Sequence, residues 1–241
     1  MDLAEAGAAR PGRAARIVLA VACGTVAAVV GWALASGGAG RGRLAADVRA
    51  ALPRSGVEHP VTAVLLNFRA FDTMLELAVL LVVAIATGAV GGIAHSGARP
   101  EDLRPASPSP LMDSLVHDLV PFALLAGAYL LWVGAYAPGG AFQAGAVIAA
   151  AGVLAHFSPR FRPQVPDRWP TRAVLALGAG AFACAALVAL AWTGVYLGYP
   201  PAQAGWWILA IEAAATLSVA AVLYVTFRAV MSADPSRRGT Q

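Results

Sequence analysis

Apolar runs of about twenty residues recur along this 241-residue chain, with most of its charge gathered between them. Such a run matches the roughly 20 residues a helix needs to cross a hydrocarbon core of about 30 Å. Lipid offers no hydrogen-bond partner to an open backbone, and the ten-residue alternating strands of a barrel are missing, so the runs must be helices. Composition agrees: 59% of residues are hydrophobic, 12% are charged and the mean hydropathy is +0.69, too apolar for a water-soluble domain of this size. The expectation is an all-α, polytopic transmembrane helical bundle of about six spans in the cell membrane. The spans are placed at 17–35, 73–93, 111–136, from the turn at 138–145 to 157, 173–196 and 206–228.

The 17 basic residues are all arginine and stand against 13 acids. They lie in loops and tails and so report on topology and headgroups; no aromatic-interleaved basic groove points to nucleic acid. Arg160, Arg162, Arg168 and Arg172 face Asp167 alone in the segment 158–172, which marks it as cytoplasmic. Six spans then put both termini in the cytoplasm, with Arg228, Arg237 and Arg238 inside. The loop 40–59, with Arg41, Arg43, Arg49 and Arg54, runs against the tendency. Arg10, Arg13 and Arg16 ahead of an apolar run look like the start of a signal peptide. The run exceeds a usual signal core, and the rest of the chain is multispanning, so an uncleaved first helix is expected. Cys23 and Cys184 each sit inside an apolar run, which makes neither a disulfide nor a metal pattern.

The charges that need a reason lie in the stretch 60–92, where Arg69, Asp72 and Glu76 open an otherwise apolar segment. On a helix their spacings of three and four align them on one face, with Glu76 deepest. A mid-bilayer acid costs roughly 2.5–3.5 kcal/mol on insertion scales, so it usually faces protein or water and often serves transport. Glu76 is therefore the leading functional candidate. Asp72 also suits a plain ion pair in the first helical turn, where an acid complements the helix dipole. The piece 61–71 reads either as the first turns of this span or as a separate interfacial half-helix. Gly88 and Gly92 have the small-xxx-small spacing of a close helix contact.

The segment 95–110, rich in Pro, Ser and Arg, reads as a cytoplasmic linker and the module boundary, with His95 inside it. It divides a two-helix module, 1–94, from a four-helix module, 111–230, followed by a tail at 231–241. Asp113, His117 and Asp118 open the next span and read first as a solvated helix start, although His117 titrates where proton transfer is useful. Pro121 cannot donate to the carbonyl of His117, so a bend one turn in is expected. Pro138, Gly139, Gly140, Ala141, Phe142, Gln143, Ala144 and Gly145 form a tight turn into the fourth helix, which makes helices three and four antiparallel neighbours. Gly139 and Gly140 let the backbone turn, Gly145 permits close approach and Gln143 offers an amide in an apolar setting. Glu212 lies about one and a half turns beyond Trp206 and Trp207. It reads equally as an acid near the outer headgroups and as an ion-path group; its face supplies no evident partner. His156 reads as interfacial.

Two of these stretches resemble known families. PVTAVLLNFRAFDTMLELAVL, residues 60–80, resembles the Phe-Arg, Phe-Asp-Thr motif with a downstream Glu in the carboxy-terminal part of the large A subunit of Mrp-type (Mnh) multisubunit sodium/proton antiporters, and the small E-type subunit of membrane-bound hydrogenases. SPLMDSLVHDLVPFALLAGAYLLWVGAYAPGGAFQAGAVIAAAGVLAHF, residues 109–157, is similar to the B subunit of those antiporters, with its Pro-Gly-Gly-x-Phe-Gln-x-Gly turn. Ala141 and Ala144 replace common glycines and Asn67 a common aspartate. The resemblance implies a fusion of an E-like and a B-like module that acts as an accessory membrane subunit. Its implied partners are the large and small antiporter subunits, the lipid bilayer, H⁺ and Na⁺, with no cofactor of its own.

The function expected is membrane subunit of a multisubunit monovalent cation/proton antiporter. Glu76, with Asp72, Arg69, Glu212 and His117, would contribute to an ion path. Two alternatives stay open: a purely structural subunit, and the ion-translocating module of a membrane-bound hydrogenase or complex I-like oxidoreductase. A stand-alone enzyme is not expected, since no nucleotide loop, nucleophile elbow or metal-spaced cluster is visible.

Overall fold

The computed structural model describes residues 13–36, 41–94, 109–165, 169–200 and 202–233. The helices are α1 (Arg13–Ser36), α2 (Arg41–Ala51), α3 (Pro60–Ala63), α4 (Ala70–Ala94), α5 (Pro110–Val133), α6 (Ala141–His156), α7 (Trp169–Thr193) and α8 (Ala204–Ala233). Among the described residues α4, α5, α7 and α8 are long and apolar enough to cross a membrane, and shorter apolar stretches lie in α1 and α6. The expected linker 95–110 falls almost wholly outside the described residues, as do both chain ends.

The chain divides into two units, Met1–Ala50 and Ala51–Gln241. In the first, α1 is apolar along its length, with Val18, Val21, Val26 and Val29 exposed, as suits a helix facing lipid or another chain. The arginine-bearing loop expected at 40–59 is instead largely helical: Arg41–Ala51 forms α2 and Leu52–Arg54 a 3₁₀ turn begun by Pro53. Helix formers dominate that stretch, and a local propensity signal was masked by its charge.

The second unit is built around α8. Ile208, Ile211, Ala215, Val219 and Val222 along it are buried, and α4, α6 and α7 pack against it. Without a hydrophobic drive between helices in lipid, such contacts depend on small residues that let backbones approach. A Cβ on Gly145 would stand 2.8 Å from Cβ of Val219, and one on Gly178 would stand 2.9 Å from Cβ of Ser218. These two glycines set α6 and α7 against α8. Gly88 does not play that part: nothing lies within 4 Å of the place its Cβ would take, so its spacing marks no contact inside this chain.

α5 starts at Pro110, with Ser109 as its cap (Ser109 Oγ accepts from Met112 N at 3.4 Å), and packs antiparallel against α6 as the tight turn requires. It ends at Val133, three residues short of expectation, because residues 134–140 close on themselves: Gly140 N donates to Leu130 O at 2.8 Å. The 16 residues of α6 span only about 24 Å, less than the hydrocarbon thickness.

Candidate functional site

The motif around Arg69 builds a corner. Pro60 begins α3, and the chain then widens into a π-helical turn, Val64–Phe68, closed by Arg69 N donating to Val64 O at 2.8 Å. Arg69 itself has φ −130° and ψ 35°, outside the helical region, and α4 starts afresh at Ala70. Thr73 Oγ1 reaches back eight residues to donate to Leu65 O at 2.6 Å. Along a straight helix those positions would be about 12 Å apart, so the chain bends sharply at Arg69 and the threonine satisfies a carbonyl freed by the bend. The expectation of Arg69, Asp72 and Glu76 on one helix face is corrected in this respect: Arg69 stands at the corner, not on the helix.

Arg69 nonetheless pairs with Asp72, and both side chains are well exposed. Asp72 and Glu76 lie one turn apart on the wall of an open lateral groove of about 600 Å³. Its other wall and floor are apolar, formed by Phe142 and Ala146 of α6 and Val219 and Leu223 of α8. Glu76 is exposed, and among the described residues nothing pairs with its carboxylate. The deepest acid of the motif thus faces outward, onto a surface that a neighbouring chain or lipid must cover.

The corner docks on the α5–α6 turn. Thr62 Oγ1 donates to Gly134 O at 2.5 Å, and the backbone N–H groups of Glu58 and His59 both donate to Ala135 O at 2.9 Å. Inside that turn lies the acid whose partner was not legible. Glu212 is buried, and its carboxylate accepts from the backbone N–H of Ala141, the first residue of α6. The space where a Cβ on Gly140 would stand is 2.7 Å from Glu212 Oε1. Gly140 has φ 105°, which only glycine adopts without strain, so this turn both shapes the chain and leaves room for the carboxylate. Glu212 is therefore no headgroup-level acid: it is paired with backbone. Phe142 of the same turn lines the lateral groove, while Gln143 and Pro138 are exposed.

A second polar cluster occupies the opposite end of the unit. His156, expected to be interfacial, is buried. Arg162 Nη2 lies 2.8 Å from its Nε2, and Tyr224 Oη lies 3.1 Å from its Nδ1. Because a guanidinium only donates, Nε2 accepts and the proton of the neutral ring sits on Nδ1, facing the tyrosine. Ser158 Oγ donates to the carboxylate of Asp113, which is thus held at the helix entrance and not merely solvated. His117 and Asp118 are exposed beside it, lining a shallow hollow of about 300 Å³ with Arg160 and Phe161. The structure does not bring His117 together with Glu76 or Glu212.

A helical, multi-pass membrane chain with unpaired and backbone-paired acids among its spans is the class that fold and site define. A family model described as a domain related to the MnhB subunit of Na⁺/H⁺ antiporters matches residues 111–233, and a model described as the E component of MBH matches residues 11–91. The chain belongs to the MnhB-related domain family. Among solved structures it is similar to a chain of the Mrp complex from Dietzia sp. DQ12-45-1b, at 23% identity and TM-score 0.62 over 94% of this chain. It spans about a quarter of that chain's length, 27%. It is also similar to a chain of the membrane-bound sulfane sulfur reductase, an archaeal respiratory membrane complex, at 22% identity and TM-score 0.64, covering 90% of this chain and 98% of that one. No curated protein sequence matches it.

Proposed function

We propose that the chain is a membrane subunit of a multisubunit monovalent cation/proton antiporter, joining an E-like module (1–94) to a B-like module (111–230), and that Glu76 contributes to the ion path. One observation carries the proposal: the Glu76 carboxylate stands within an apolar helix, on the wall of an open groove, with no partner among the described residues of its own chain. A carboxylate in that position must be received by water or by another subunit, and either arrangement suits ion transfer. Asp72 is held by Arg69 at the mouth of the groove, one turn ahead of Glu76. The chain's role is transfer and assembly and not catalysis. Replacing Glu76 by Gln preserves shape and removes charge. Expected is loss of Na⁺-dependent proton exchange in vesicles, with the assembly intact by native mass measurement; full exchange in that variant removes Glu76 from the path.

A second reading is favoured by the match to nearly the whole of the sulfane sulfur reductase chain. In it the same helices couple ion movement to electron transfer carried out by other subunits. Co-purification with chains that bear iron–sulfur ligands selects this reading; their absence from the intact assembly selects the antiporter.

A further inference from the structure

The buried acid of α8 has a chemistry that the lateral groove lacks. Glu212 is 3% exposed, and its carboxylate meets the amino end of α6 through the N–H of Ala141. The helix dipole and first-turn N–H groups place partial positive charge there. A side chain at position 140 is excluded twice over, by the positive φ and by the carboxylate oxygen 2.7 Å from where its Cβ would be. The ionisable groups on neighbouring elements are Asp72 and Glu76 of α4, Glu58 and His59 of the segment docked on the turn, and Tyr196 and Tyr199 between α7 and α8. His156, Arg172, Asp113, His117 and Asp118 lie toward the opposite ends of α6, α7 and α5. Among the described residues no basic side chain pairs with Glu212.

We infer that Glu212 in this glycine-shaped seat is a proton-exchange site that does not take sodium. The inference rests on the antiporter reading for the identity of the exchanged ions, and it says which of the two this residue handles. A cation needs several converging oxygens, whereas here N–H groups converge on the carboxylate. The nearby carbonyls already accept hydrogen bonds: Leu130 O from Gly140 N at 2.8 Å, Gly140 O from Ala144 N at 3.0 Å and Glu212 O from Thr216 Oγ1 at 2.7 Å. A proton asks for no such cage. The ionised carboxylate is held against α6 by charge and hydrogen bond; the protonated carboxyl keeps an acceptor but loses the charge, so loading a proton loosens the clasp between α6 and α8.

A hydrophobic carbodiimide, which modifies protonated carboxyls in apolar surroundings, tests this in membranes that contain the intact assembly, with modification read by peptide mass. Labelling of Glu212 is expected to fall about tenfold over roughly two pH units as pH rises, as one titrating group does, and to be the same with and without Na⁺. Gly140→Ala, which removes the seat, increases labelling at a given pH, and Glu212→Gln abolishes it while leaving label at Glu76. Protection by Na⁺ at constant pH overturns the assignment in favour of a cation site. Labelling that is flat with pH, or absent throughout, overturns it in favour of a structural cap; the wild-type measurement decides even where a variant fails to assemble. An assembly that exchanges no Na⁺ for H⁺, yet shows the pH-dependent label, sinks the antiporter reading and leaves this one standing.

Discussion

Glu76 and Glu212 are both acids within apolar helices, and the same unit treats them in opposite ways. Glu212 is enclosed, its charge met by the backbone of a turn that glycine alone can shape. Glu76 stands open on a groove with an apolar floor, and this chain brings it no counter-group among the described residues. A carboxylate that a chain satisfies by itself serves that chain's own packing and protonation. One left on an outward wall is finished only by another chain or by water, so the pair separates what the subunit does alone from what it does in an assembly.

The contrast breaks most decisively in transport. Glu76→Gln should abolish exchange while thermal stability of the extracted assembly stays within about 0.5 kcal/mol of wild type, as for an exposed site. Glu212→Gln should reduce exchange and also lower stability, because a buried charge-assisted bond is worth roughly 1.5–3 kcal/mol. Equal stability loss in the two variants would erase the distinction.

Packing sharpens it next. Gly145→Leu drives a branched side chain into Val219 and should destabilise the assembly by about 1–3 kcal/mol, measured as a lowered melting temperature, whereas Gly88→Leu faces open space in this chain. A strong effect at Gly88 would show that another subunit packs there. A smaller loss is expected at the corner before Glu76. Thr73→Val keeps the shape and removes the bond to Leu65 O, which should cost about 1 kcal/mol and blunt transport by displacing Asp72 and Glu76. Smallest of all is Asp72→Asn: its ion pair with Arg69 is exposed, so stability should change by less than about 1 kcal/mol, and any loss of exchange reports on the path alone.

Much of the fold was legible because membrane residence writes itself locally. Six apolar helices, the antiparallel pairing of α5 with α6, and the close approach at Gly145 all follow from runs, loop length and a missing side chain. Other features were hidden for identifiable reasons. α2 is a helix among charges, where a hydropathy reading sees only a loop. The corner at Arg69 lies inside a continuous apolar pattern, and its signal, a threonine eight residues beyond the freed carbonyl, is not a helical spacing. Gly88 shows the reverse error: the spacing is present and the contact is not.

By itself the sequence determined that this chain lives in a membrane, how many helices it offers and which acids would be costly there, since hydrogen-bond starvation in lipid acts on each segment independently. Which acid is answered from within, and by what, was decided by tertiary structure. The partner of Glu212 is a backbone N–H far along the chain, and a backbone group leaves no mark in residue identity. Only the packing of α6 against α8 brings the two together, and only the absence of such packing over Glu76 leaves that carboxylate for a neighbour.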